Sequence, residues 1–238
     1  MLSNPQNSPP EENQPALLND VRQRIAQACA ATGRDVHSVT LLAVTKGQDV
    51  ARIRTAMALG LHEFGENYVG EALAKIQALR DTPAAWHFIG RLQANKTRAV
   101  AESFSWVHSV DRLRLAKRLD AQRPLQAPAL NVCVQVHIAD DPDKGGVAPD
   151  QTLSLLQAIS HLPRLRLRGL MCMLPHDFDT AAQRAAFMRL RVLLEKARQA
   201  GLPLDTLSMG MSGDMEAAIA EGATIVRVGT ALFGPRAT

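Results

Sequence analysis

Eight times along this chain a short apolar run is followed by a segment of helical periodicity. The runs fall at 39–46, 62–65, 86–89, 106–109, 131–138, 167–173, 205–209 and 224–228. Helical patterns follow at 50–59, 68–80, 92–101, 112–119, 149–161, 180–200, 213–221 and 231–233. Consecutive strand–helix units imply a parallel sheet, because each helix carries the chain back to the start of the next strand. Eight units in 238 residues have the size of a closed (β/α)8 barrel of the TIM type. An open doubly wound sheet is the runner-up. It would normally carry a GxGxxG nucleotide fingerprint, which this chain lacks.

One extra helix precedes the repeats. Leu17, Leu18, Val21, Ile25 and Ala28 recur at helical spacing over 15–31, and Gly33 fits its end. Asp49, Asn67, Asp111 and Asp179 or Thr180 are the expected caps of later helices. Residues 1–14 are polar and rich in Pro and Asn, and read as a disordered tail. The expectation is a single barrel domain over 15–238.

Totals exclude several function classes. The formal charge is +4 and the aromatic content 4%. RNA readers generally need stacking aromatics, so a nucleic-acid module is disfavoured. Cys29, Cys133 and Cys172 form no CxxC pair, which argues against a zinc site or a disulfide framework. No apolar run approaches bilayer length, and the N-terminus lacks the apolar core of a signal peptide. A cytoplasmic protein with reduced thiols is expected.

Barrels of this kind carry their chemistry at the carboxyl ends of the strands. Lys46 ends the first strand. Asn67 follows the second, His87 lies in the third, Ser212 follows the seventh, and Gly229 and Thr230 follow the eighth. A strand-terminal lysine either reaches water along its stem or is deprotonated and attacks carbonyl carbon. Ser212 and Thr230 precede expected helix starts, in the loops that often hold phosphate in such barrels. Caps and tight turns are the plain alternative for both. Arg227 sits in an apolar strand and needs an acceptor. That acceptor is either a barrel carboxylate, Glu63 or Glu66, or a ligand's ring nitrogen or phosphate. A lysine, a phosphate cup and a strand arginine together suggest pyridoxal 5′-phosphate. A phosphosugar aldolase shares the first two features but leaves Arg227 unexplained.

Several blocks of the chain resemble one family in the right order. They are Leu41 to Lys46, Phe64 to Val69, His87 to Lys96, Arg168 to Met171, Leu207 to Ser212 and Val226 to Thr230. The chain resembles the pyridoxal phosphate homeostasis proteins, whose fold is similar to the alanine racemase N-terminal barrel. The resemblance covers nearly everything after the tail. It implies that Lys46 holds pyridoxal phosphate as a Schiff base. It also implies that Ser212, Gly229 and Thr230 bind phosphate, that Arg227 meets the pyridine nitrogen, and that Asn67 lies beside the ring. Gly213 and the run Met171 to Pro175 depart from the family's usual residues.

Arg227 would oppose protonation of the pyridine and weaken the ring as an electron sink. The opposing tyrosine base of alanine racemase comes from another domain, and the only tyrosine here is Tyr68. The expected function is therefore a non-catalytic carrier of pyridoxal phosphate in vitamin B6 and amino-acid homeostasis, with no catalytic residues. Apo-enzymes are its expected recipients and a monomer its expected state. A low-activity amino-acid racemase is the rival. The loop 139–146 has the glycines to gate the mouth, though a solvated loop explains it as well.

Overall fold

In the computed structural model, which describes residues 13–139 and 145–234, eight parallel strands close into a barrel in chain order. They are β1 (Thr40–Val44), β2 (Glu63–Glu66), β3 (Ala85–Phe88), β4 (Trp106–Val110), β5 (Leu130–Gln135), β6 (Leu165–Met171), β7 (Thr206–Ser208) and β8 (Ile225–Val228). The seam is a β1–β8 ladder that places Leu42 opposite Arg227 and Ala43 opposite Val228. The helices are α1 (Gln14–Ala31), α2 (Val50–Ala58), α3 (Val69–Ala78), α4 (Thr97–Ser103), α5 (Leu113–Gln122), α6 (Thr152–Ser160), α7 (Thr180–Gln199), α8 (Met215–Ala220) and α9 (Thr230–Phe233).

Alternation along each strand divides two environments. Ala43, Phe64, Val107, Val132, Leu170, Leu207, Val226 and Val228 join the main core with the buried helix faces. Phe64, Phe88, Phe104 and Phe187 are fully buried there, each contributing about 1.5–3 kcal/mol. A second, small cluster of Leu42, Ile89 and Ile225, with Val44 and Trp106 against it, fills part of the barrel interior. Buried polar residues also occupy the strands, among them His87, His108, Ser208 and Arg227. An interior this polar is unusual, because barrel cores are ordinarily packed with branched aliphatics.

Two expected caps form. Asp49 accepts from the Arg52 amide and Asp179 from the Ala182 amide, both at 2.8 Å. Two do not. Tyr68 is the N-cap of α3, in extended conformation and without a side-chain bond, so Asn67 lies outside the helix and its side chain is free for the mouth. Arg112 takes the corresponding place at α5, and Asp111 pairs with the Arg112 guanidinium at 2.9 Å instead.

The first helix begins at Gln14, which is buried and donates to the Arg52 carbonyl at 3.2 Å. Gln14 is thus part of the packed domain rather than of a tail, and residues 1–12 lie outside the described ones. Residues 140–144 of the candidate gating loop lie outside them as well. Among the described residues, no helix is long and apolar enough to cross a membrane.

Candidate functional site

The site is assembled where the first and last strands meet. β1 stops at Val44, so Lys46 stands in the turn just beyond it and is half-buried. Its two neighbours are held by one linked set of charged groups, Lys75, Glu66 and Glu71. The Lys75 ammonium, from α3, donates to the Thr45 carbonyl at 2.6 Å, to Glu66 at 2.7 Å and to Glu71 at 2.6 Å. The same Glu71 oxygen accepts from the Gly47 amide at 2.5 Å, and the Thr45 hydroxyl donates to Glu66 at 2.6 Å. Residues 45 and 47 are thus fixed on either side of Lys46. Burial pushes the Glu66 carboxyl above its ordinary range despite the Lys75 and Thr45 bonds, whereas Lys75 and the Gly47 amide hold Glu71 below it. Glu66 Oε2 has no hydrogen-bond partner among the described residues.

A cavity of about 520 Å³ opens above the strands. Lys46, Asn67, Ser212, Arg227, Gly229 and Thr230 all line it. The six residues expected at the site therefore come together. His87 does not. It points into the barrel, where its ring bonds Glu63 at 2.5 Å and His108 at 2.9 Å, and it is absent from the cavity wall.

Neither carboxylate expected near Arg227 pairs with it. Glu66 is engaged by Lys75 and Glu63 by His87. The guanidinium, 4% exposed, donates instead through Nη1 to the Ser208 carbonyl at 2.6 Å and hydroxyl at 2.9 Å, and through Nη2 to the Cys172 carbonyl at 2.8 Å. It is a buried cation held by neutral groups, at the floor of a cavity. Burial lowers its pKa, yet a guanidinium stays charged at any physiological pH.

The loops after β7 and β8 are braced rather than capped. Asp214, not Ser212, is the N-cap of α8. The Ser212 hydroxyl instead accepts weakly from the Ala231 amide at 3.4 Å, across to the first turn of α9. Asp214 accepts from the Met211 amide at 2.5 Å. From outside, Arg24 of α1 donates to the Ser212 carbonyl at 2.8 Å and pairs with Glu216 at 2.6 Å. A Cβ built on Gly213 meets nothing within 4 Å, so the loop stays open towards solvent at that position.

These residues fit pyridoxal phosphate in their donor set. Asn67 Oδ1 is buried and has no partner among the described residues, while its residue lines the cavity, a combination that calls for a donor from a ligand. Its place is set by Gly90, where a Cβ would come within 2.0 Å of the Asn67 carbonyl oxygen. Hydroxyls and amides of the Ser212 and Thr230 loops suit an anion.

Two wall residues went unnoticed in the sequence: His176 and Gln183. Their common signal is position, since His176 follows β6 on the same side of the barrel as the other loops. The buried thiols of Cys133 and Cys172 are pushed up to about 12 by burial and are inert at neutral pH. Among the described residues, no group of three or more His, Cys, Asp or Glu is placed to hold a metal ion.

The family model of the alanine racemase N-terminal domain matches residues 18–237. A pyridoxal phosphate homeostasis protein of Pseudomonas aeruginosa is 56% identical over 91% of this chain and 93% of its own. The chain belongs to the pyridoxal phosphate homeostasis proteins. A further member of this family, from Escherichia coli, is 46% identical over 92% of this chain and 95% of its own. Among solved structures, PipY of Synechococcus elongatus with PLP bound is 41% identical, with a TM-score of 0.78 over 88% of this chain and 100% of that one. Alanine racemase of Corynebacterium glutamicum shares the fold at 17% identity, with a TM-score of 0.69 over 95% of this chain and 61% of that one. The homeostasis proteins match this chain over nearly their whole length, whereas the racemase extends well beyond the barrel.

Proposed function

We propose that this protein binds pyridoxal 5′-phosphate covalently through Lys46 and holds it for transfer to apo-enzymes, as a monomeric cytoplasmic carrier in vitamin B6 and amino-acid homeostasis. The observation that carries this reading is one cavity lined by Lys46, Arg227, the Ser212 and Thr230 loops, and Asn67 with its unpartnered oxygen. The names of its relatives and the PLP-bound PipY structure point the same way. Bound pyridoxal phosphate supplies an aldehyde that captures a primary amine with release of water.

The chain's own groups divide the work. Lys46 is the amine, held in place by the bonds on either side of it. The Ser212, Gly229 and Thr230 loops take the phosphate. Asn67 Oδ1 accepts a hydrogen bond from the ring side. Arg227, a donor that cannot give up its charge, faces the ring nitrogen and keeps a second positive charge off it. A ring held in that state withdraws electrons weakly, which suits storage better than turnover.

The racemase reading has one observation in its favour. His176 and Asp214 share the cavity with Lys46, so titratable groups other than the lysine are present.

The purified protein should be yellow, and borohydride should remove its visible band. Lys46→Ala should lack the band and the reducible linkage. Cofactor found covalently attached elsewhere would show that Lys46 is not the anchor. Bound cofactor should activate an apo-enzyme at least as well as free cofactor. Chiral analysis after incubation with L-amino acids decides against the carrier if D-isomers form at ordinary enzyme rates, ~1 s⁻¹ or faster.

A further inference from the structure

The barrel interior carries a hydrogen-bond chain that cofactor contact alone does not use. From the mouth downward, Arg227 Nη1 lies 2.9 Å from Ser208 Oγ, and Ser208 Oγ lies 2.7 Å from His108 Nδ1. His108 Nε2 is 2.9 Å from His87 Nδ1, and His87 Nε2 is 2.5 Å from Glu63 Oε2. Glu63 begins β2, so the chain crosses the barrel from the mouth to its opposite end. His87, His108, Ser208 and Arg227 are all at most 4% exposed.

Donor and acceptor roles along this chain follow from its two ends. The Glu63 carboxylate only accepts, so His87 carries its proton on Nε2 and its neutral ring leaves Nδ1 as an acceptor. His108 therefore donates from Nε2 to His87, and its Nδ1 is the bare acceptor of the Ser208 hydroxyl. At the other end a guanidinium only donates, so Ser208 Oγ accepts from Arg227. Every bond points the same way, and each polarises the next. Burial holds both histidines below their ordinary range, His108 well below it, with His87 and Arg227 adding to the effect. Neutral rings are what the directed chain requires. Stacking of His87 on Trp106, at 5.2 Å and 7°, fixes its ring plane.

We propose that Glu63, His87, His108 and Ser208 are positioning residues for Arg227, a one-way hydrogen-bond chain by which a carboxylate at the barrel's far end orients the cation facing the cofactor. The inference rests on the pocket being a pyridoxal phosphate site, with Arg227 at the ring nitrogen. Glu63 is the place to test it, because its side chain is 38% exposed and touches neither the cavity nor Arg227. Glu63→Leu removes the acceptor, while Glu63→Gln keeps an acceptor oxygen for His87.

Nitrogen NMR of the full-length protein without cofactor reads the tautomers directly. Both histidines should be neutral, with the proton on Nε2, at pH 7. Glu63→Leu should let His87 change tautomer, and His108, which does not touch Glu63, should change with it. Glu63→Gln should restore most of the parent pattern. In the cofactor-loaded protein, Glu63→Leu should move the visible band and weaken retention about tenfold, the scale of one hydrogen bond to a charged group, with Glu63→Gln in between. His108 protonated on Nδ1, or as imidazolium at pH 7, overturns the direction of the chain. A Glu63→Leu protein with parental His108 signals and a parental visible band overturns the coupling. If the parent takes up no pyridoxal phosphate, the pocket reading fails, and the tautomers alone still decide whether the chain exists.

Discussion

Replacing Lys75 by Met tests whether the turn around Lys46 is held by a buried ion pair. Lys75 and Glu66 side chains are 7% and 0% exposed, so neither has water to fall back on. Met fills the same volume without the charge. It would leave Glu66 with the Thr45 hydroxyl alone, since Glu66 Oε2 already has no partner among the described residues. Removing one partner of a buried pair costs about 3–5 kcal/mol. In a chain of this size that lowers the melting temperature by about 6–20 °C. The sign of the pH dependence follows from Glu66. Its folded pKa is already raised above 4.5 by burial, with Lys75 pulling it back. Without Lys75 it rises further, so the folded variant binds a proton that the unfolded chain has lost. Stability of Lys75→Met must then fall as pH climbs from the unfolded value towards the new folded one. Urea unfolding at pH 5, 7 and 8 reads this. The deficit should be smallest at pH 5, and adding Glu66→Gln should recover much of it at pH 8. A variant within about 1 kcal/mol of the parent at every pH, far short of the loss expected for a broken buried pair, would refute the argument, as would a double variant less stable than Lys75→Met.

Gly90→Ala should displace Asn67, because the added methyl meets its carbonyl oxygen at 2.0 Å; equilibrium dialysis should show a loss of cofactor affinity of about tenfold or more. Ser212→Ala removes one hydroxyl from the cup and should weaken retention of the phosphate more than that of pyridoxal, measured by the same method. Asp49→Ala removes the cap of α2 and should lower unfolding free energy by about 1 kcal/mol while leaving the visible band in place. Arg168 bonds hold the Asp205 carboxyl below its ordinary range, so this pair stabilises above the unfolded value of 3.8 and the contribution is lost as pH falls through the folded one. Asp205→Asn should therefore flatten the stability profile below about pH 4 and lower it by a constant amount, with no change of slope, between pH 6 and 8.

Periodicity carried the architecture, because parallel strands covered on both faces are continuous apolar runs and each is followed by its helix. The six cavity residues were legible for the same reason. Once the strands are counted, their carboxyl ends share one mouth. What stayed hidden depends on side-chain choices that strand order does not make. Nothing in the chain's order says that Glu66 turns to Lys75, or that Arg227 is satisfied by Ser208 and Cys172 rather than by either carboxylate. His87 was grouped with the mouth because it lies in β3. Strand order does not say how far below the carboxyl end a ring is buried, and its bonds to Glu63 and His108 hold this one inside the barrel. Lys75 resembled any charged residue on a helix, and only the packing of α3 over the end of β1 reveals that its head is inside.

Because Lys46 follows the first strand while Arg227, Gly229 and Thr230 come from the eighth, the two halves of the pocket are made at opposite ends of synthesis and joined when the β1–β8 ladder closes, with α1 bracing the later half through Arg24. On the proposed assignment, a nascent chain still short of its last strand carries the amine but no complete cup for the phosphate. Capture of the cofactor is then a late event that only a closed barrel can perform, and ligand uptake doubles as a report of completed folding. Mass action adds the reverse effect, since a ligand bound only by the native form draws slow or damaged chains back towards closure. Cells short of vitamin B6 should accordingly hold this protein in a less protected, more readily degraded state, so that its own abundance tracks the supply of the cofactor it binds.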